Sequence, residues 1–232
     1  TSVDLPEVSA EIADLEEGAA VNYGFYSRNV LAREKALYRG HSVAAVAAIS
    51  PHIAEEALAL IEVEYEVLKP VLNPADAMKE DAPILHEKLV QRSSAAAGGG
   101  GWADDGIGDG TNVANRYEIT MGDIAKGFED ADIVVERDFH TKRVHQGYIE
   151  PHATTVMWGK DGYVTIWTST QQLFGHRDST AKLLNLPTSR VKVIPMEIGG
   201  GFGGKGGSNY LDPVAATLSR QTGKPVKIVM TR

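Results

Sequence analysis

The densest chemical signal in this chain is the run "IGGGFGGKGG", residues 198–207. Glycine lets backbone press against a ligand while its N–H groups donate to an anion. Two nucleotide-binding patterns are matched in part. Gly199, four residues, then Gly204 and Lys205 have the spacing of a phosphate loop. Gly206 stands where a hydroxyl would hold magnesium, and the next helix signal waits until Asp212. Gly201-x-Gly203-x-x-Gly206 satisfies the bare dinucleotide fingerprint. That fingerprint also needs an acidic residue about 20 positions on, to hold a ribose. After Asp212 the chain has no Asp or Glu. A flexible linker is the plain alternative, but Phe202 sits at the centre, an apolar run precedes it, and no serine padding occurs. The composition favours a loop closing on a bulky anionic or oxo-bearing ligand.

Other constellations are weaker. His140 and His145 are an odd number of residues apart, so on one straight strand they face opposite ways. Glu150 and His152 would share a face, but Pro151 between them argues for an edge or bend rather than a zinc site. Glu62, Glu64 and Glu66 line one face of an alternating run and read as solvated carboxylates. No G-x-S-x-G elbow supports serine hydrolase chemistry. The chain has no cysteine, which excludes disulfides, thiolate zinc sites and cysteine-ligated iron–sulfur clusters within it. Its net charge of −8 argues against a general nucleic-acid binder, and no apolar run is long enough for a membrane span.

These residues need elements to position them. Residues 1–31 are weakly patterned and read as irregular, and 41–50 fit a buried strand. A helix follows, with Ser50 as cap, Pro51 in its first turn, and Ile53, Ala57, Leu58 and Ile61 on one buried face. "IEVEYEV", residues 61–67, alternates as a strand with one wet face. Residues 93–110, rich in Gly, Ala, Asp and Ser, read as a linker carrying Trp102. Residues 132–144 read as a long strand. "TTVMWG" and "YVTIWT" flank an Asp161-Gly162 turn as a hairpin. A helix is expected over 172–186, with Leu173, Phe174, Thr180, Ala181 and Leu184 on one arc. A strand at 190–196, the glycine loop, a helix capped by Asp212 and ended by Gly223, and a strand at 224–230 complete the pattern. The chain begins without Met and stops after a strand-like run, which reads as a fragment of something longer.

Three segments taken together resemble a known family: "RVHQGYIEPHA" (143–153), "IWTSTQQLFGHRDSTAKLLNLP" (166–187) and "VKVIPMEIGGGFGGK" (191–205). In order and spacing they are similar to the molybdenum-cofactor-binding large subunit of the xanthine dehydrogenase/aldehyde oxidase family of molybdenum hydroxylases. The stretch from Leu37 to Met78 resembles the end of the preceding α/β hammerhead domain. The resemblance implies an α+β chain: part of an α/β hammerhead domain over 1–92, a Gly-rich linker over 93–115, and the beginning of a mixed α/β molybdopterin-binding domain over 116–232. It implies a molybdenum–pyranopterin cofactor, as molybdopterin or its cytosine dinucleotide, seated by Gln171, Gly201, Phe202 and Gly203. By this likeness Gln171 would donate to an oxo group, and Gly203 would act through its backbone N–H.

The activity implied is hydroxylation of an electron-poor carbon with oxygen from water. Electrons would leave through 2Fe-2S clusters to FAD on other domains or subunits, in a cytoplasmic oligomer. The base glutamate is expected beyond Arg232, so this piece alone should be inactive. Gly206 occupies the place where purine-oxidising members carry a Glu, which favours an aldehyde or aromatic N-heterocycle. His41 stands where relatives often have Gln, a change expected to touch only hammerhead packing. Two alternatives are a non-catalytic pterin-binding or assembly module and a nucleotide-binding enzyme.

Overall fold

The strongest alternation in the second half of the chain builds the sheet. In this computed structural model, residues 1–8, 12–14, 20–87, 110–113, 121–206 and 210–231 are described. Strands β1 (Ile12–Asp14) and β2 (Ala20–Asn22) form a short antiparallel pair. Helices α1 (Tyr23–Val30), α2 (Pro51–Ala59), α3 (Pro74–Ala77) and α4 (Ile124–Glu129) precede β3 (Ala153–Trp158) and β4 (Val164–Thr168). Then come α5 (Leu173–Leu183), β5 (Val191–Pro195), α6 (Leu211–Thr222) and β6 (Val226–Val229).

The four later strands form one mixed sheet in the order β5-β4-β3-β6. β4 and β5 are parallel, and β3 is antiparallel to both β4 and β6. Val156, Val164 and Ile166, all at 0% exposure, project from one face onto Ala181 and Leu184 of the α5 region and Ala215 and Ala216 of α6. The small α6 residues let helix backbone approach the sheet closely. A second cluster joins Leu5, Val30 and Leu31 to Leu183 and Val214, so the N-terminal segment packs on the outer side of both helices.

Local chemistry ends these elements where the residue types require. Ser50 caps α2 by accepting from the Ile53 N–H at 3.3 Å. Gly162, at φ +80°, turns the β3–β4 hairpin. Gly223, at φ +66°, closes α6 in the left-handed conformation.

Several sequence expectations need correction. Residues 1–31 are not irregular: they contain β1, β2 and the well-buried α1. The stretches 41–50, 61–67 and 132–144 form no strand, because alternation favours extended backbone but a ladder needs a partner, and none pairs with them among the described residues. The supposed inner face of α2 is open, with Ile53, Leu58 and Ile61 all exposed. On α5, Thr180, Ala181 and Leu184 of the expected arc are buried, but Phe174 points outward, and His176 and Ser179 join the buried face. Tyr210 rather than Asp212 occupies the N-cap of α6, and Asp212 lies buried within its first turn. Of the expected linker over 93–115, only residues 110–113 are described, and Trp102 lies outside the described residues.

One buried hydroxyl ties sheet to helix. Ser219, at 0% exposure, accepts from the Trp158 N–H at 2.9 Å and donates to the Lys224 carbonyl at 2.7 Å. Replacing Ser219 with Ala strands both groups, and the expected cost is about 1–3 kcal/mol in urea unfolding. A shift under about 0.3 kcal/mol would show that the bridge contributes nothing.

Candidate functional site

Strand direction brings three distant segments to one edge. β4 and β5 are parallel and end level, Thr168 opposite Pro195. β3 runs the other way, so its start is beside their ends, Thr154 opposite Thr168. β6 ends there as well, where the Met230 N–H donates to the His152 carbonyl at 2.9 Å. Segments 169–172, 196–206 and 148–152 therefore meet outside the carboxyl ends of parallel strands, where open α/β sheets hold their ligands.

Gln171 and the glycine loop are joined directly. The Gln171 N–H donates to the Lys205 carbonyl at 2.9 Å. Its side-chain Oε1 accepts from the Gly203 N–H at 3.1 Å and the Lys205 N–H at 3.2 Å. An oxygen held by two backbone donors fixes the amide orientation, so Nε2 is turned away from the loop. Nε2 makes no hydrogen bond among the described residues. Gly201 permits this approach, since a Cβ there would lie 2.6 Å from Gln171 Oε1.

The expectation that the loop offers its N–H groups is met only at its tip. Gly199, Gly203, Gly204, Lys205 and Gly206 all donate internally. The consecutive N–H groups of Gly200, Gly201 and Phe202 make no hydrogen bond among the described residues, although Gly201 is buried. Gly203, named for its N–H, instead spends that donor on Gln171. Phe202 adopts φ +50°, left-handed for a non-glycine residue, and its ring is 72% exposed. Left-handed backbone carrying a large exposed ring is a costly arrangement for an empty surface and a sensible one for a ligand-contacting tip.

Beneath the loop lies a polar foundation that the sequence did not reveal. Lys205 is 1% exposed, with its Nζ on Glu150 Oε2 at 2.5 Å and 5.2 Å from the centre of the Tyr148 ring. The Gly199 N–H donates to the same carboxylate oxygen at 2.6 Å. The Lys205 hydrogen bond, aided by Gly199, holds the Glu150 carboxyl below its ordinary range. Burial, reinforced by the Lys205 charge, pushes His152 down. His176 Nδ1 lies 3.3 Å from Asp212 Oδ2, both side chains buried.

Glu150 and His152 thus form no metal pair: Glu150 is committed to Lys205. His145 accepts from the Gly147 N–H at 3.0 Å and packs on Tyr148. No group of three His, Asp or Glu suited to a metal occurs among the described residues. With its ammonium buried on Glu150, Lys205 cannot reach a nucleotide phosphate, which removes the phosphate-loop reading. A lysine is so commonly solvated that only its partner, 55 residues upstream, could have signalled this burial.

A glycine tip whose N–H groups make no hydrogen bond among the described residues is thus clasped by a glutamine amide at the ends of parallel strands. The chain belongs to the molybdopterin cofactor-binding domain family, whose model matches residues 107–232. Residues 4–69 match the a/b hammerhead domain of aldehyde oxidase and xanthine dehydrogenase. The chain is 32% identical over 203 residues to a probable xanthine dehydrogenase subunit of Bacillus subtilis, covering 88% of this chain and 24% of that protein. It is 34% identical to the nicotinate dehydrogenase large molybdopterin subunit of Eubacterium barkeri, covering 87% and 42%. The reconstituted CO dehydrogenase of Oligotropha carboxidovorans superposes with a TM-score of 0.77 at 28% identity, over all of this chain and 27% of that one. The chain thus spans less than half the length of these relatives. No described helix is long and apolar enough to cross a membrane.

Two outcomes follow from this geometry. In Gly201→Ala the new methyl displaces the Gln171 amide, so the Gly203 and Lys205 amides should exchange with solvent markedly faster than in the parent. Unchanged exchange there would contradict the clasp. The depressed Glu150 carboxyl stabilises the fold fully above the ordinary carboxylate range. That contribution is lost as pH falls through its lowered value. Acid titration of thermal stability should show this loss in the parent and not in Glu150→Gln.

Proposed function

We propose that this chain seats the molybdenum–pyranopterin cofactor of a molybdenum hydroxylase that oxidises an aldehyde or aromatic N-heterocycle with oxygen from water. The observation that carries the reading is the Gln171 amide, whose Oε1 is held by two loop N–H groups while its Nε2 and the tip N–H groups of residues 200–202 make no hydrogen bond among the described residues. The fit is chemical: amide donors suit oxo and phosphate oxygens, and the bare Gly203 position, with nothing within 4 Å of a Cβ there, leaves room for a bulky group.

When bound, the cofactor supplies Lewis acidity and two-electron redox capacity. This chain's own residues bind, orient and shield. Gln171 presents a donor to an oxygen on the cofactor. Gly201 keeps the loop against that amide. Phe202 offers an apolar surface that shields the site from water. Gly206, in place of a carboxylate, provides no anchor for a purine, which supports a less polar substrate.

Division into a hammerhead part over 1–92 and a cofactor part from 116, separated by a 93–115 linker, belongs to the same proposal. So do iron–sulfur and FAD partners, which would receive the electrons, and a cytoplasmic oligomer. The family match and the name of the Eubacterium barkeri relative support the cofactor assignment.

Elemental and pterin analysis of the intact protein should find molybdenum and pterin together, and a protein lacking both would defeat the proposal. Gln171→Leu removes one donor aimed at reacting oxygen. Turnover per bound molybdenum should fall roughly 100-fold, the usual loss for such a donor. Undiminished turnover would remove Gln171 from the site.

A further inference from the structure

We propose that Glu150 and Lys205 are a positioning pair, a latch that draws the two ends of the glycine loop together and sets the orientation of Gln171. The proposal rests on the cofactor reading for its purpose but not for its geometry. One carboxylate oxygen, Glu150 Oε2, receives the Gly199 N–H at the start of the loop and the Lys205 ammonium at its end. The span 199–205 is thereby closed at its base. Gly199 is needed for this closure, because a Cβ there would lie 2.7 Å from Glu150 Cβ.

Lys205 faces two ways. Its side chain engages Glu150, while its backbone engages the amide segment: its N–H donates to Gln171 Oε1 and its carbonyl accepts from the Gln171 N–H. The Thr170 hydroxyl adds a longer contact to that carbonyl at 3.4 Å. The carboxylate thus acts on Gln171 through a single intervening residue. Tyr148 supports the joint from below, with Lys205 Nζ over its ring and its Cε1 2.6 Å from where a Gly204 Cβ would be.

Energetics favour a geometric role over a purely stabilising one. Removing an ammonium from water is costly, and a buried ion pair often contributes no more than apolar residues of similar volume. An apolar pair could fill the same space. It could not hold the Gly199 N–H and the Lys205 backbone in register at once.

The test compares Glu150→Gln, Lys205→Met and the double variant Glu150→Leu/Lys205→Met with the parent, all as the intact protein. Three quantities are read: amide exchange over residues 199–206, thermal midpoint, and molybdenum and pterin content. Exchange is measured on protein from molybdate-starved cells, so that the loop reports without cofactor. Each single variant should exchange its loop amides roughly tenfold faster or more, with β3 and β4 amides unchanged, and should bind several-fold less cofactor. The double variant should regain thermal stability without regaining loop protection or cofactor. Unchanged loop exchange in both single variants overturns the latch. So does equal acceleration in the core strands, or full recovery of loop and cofactor in the double variant, since either reduces the pair to ordinary packing. If the parent carries no molybdenum while loop exchange still responds as stated, the cofactor reading fails and the latch stands.

Discussion

One side-chain oxygen organises this site. Gln171 Oε1 gathers two backbone N–H groups of a tight glycine turn, from Gly203 and Lys205. The Lys205 N–H is partly buried, where an unmade hydrogen bond is expensive, so the turn and the amide constrain each other. The loop dictates which way the carboxamide faces, and the carboxamide dictates how far the loop can open. Remove either and the other loses its reason for its conformation. The left-handed backbone at Phe202 lies inside that mutual constraint.

The sheet makes the contact possible. Gln171 and Lys205 are 34 residues apart in sequence, yet both follow closely on parallel neighbouring strands. α5 serves as the crossover between those strands and buries its inner face on the sheet. That face is unusual in carrying His176, Ser179 and Thr180. Ser179 satisfies its hydroxyl within the helix, donating to the Gly175 carbonyl at 2.6 Å, while His176 Nδ1 lies 3.3 Å from Oδ2 of the buried Asp212 of α6. The core behind the site is apolar at its centre, and α5 adds buried polar groups beside it.

Much of this is legible in the sequence, and the reasons are specific. Asp161-Gly162 between alternating runs announces the β3–β4 hairpin, and Gly223 announces the end of α6. Both are positions where one residue type is required by the backbone. The partnership of Gln171 with the glycine run is reachable only through family resemblance, because no periodicity links residues so far apart. Lys205 and Glu150 read separately, as a phosphate-loop lysine and half of a zinc pair, since an ion pair across 55 residues leaves no local trace. The false strands at 61–67 and 132–144 show the converse limit. Alternation reports a conformational preference, whereas a strand is a relation between two segments. α1 is silent in the sequence because its buried side chains include Gly24, Ser27 and Asn29, which carry little helical signal.

The flush ending of β4 and β5 makes the cradle indifferent to what lies between them. A full extra turn in α5 would leave Thr168 and Pro195 side by side, and segments 169–172 and 196–206 undisturbed. A single residue inserted into β5 would be far worse. It would advance the glycine run by about 3.3 Å and swap inward for outward side chains along the rest of the strand. Natural variation in length should therefore accumulate in the helix and be purged from the strand, making the parallel pair the ruler that sets the glycine run against Gln171.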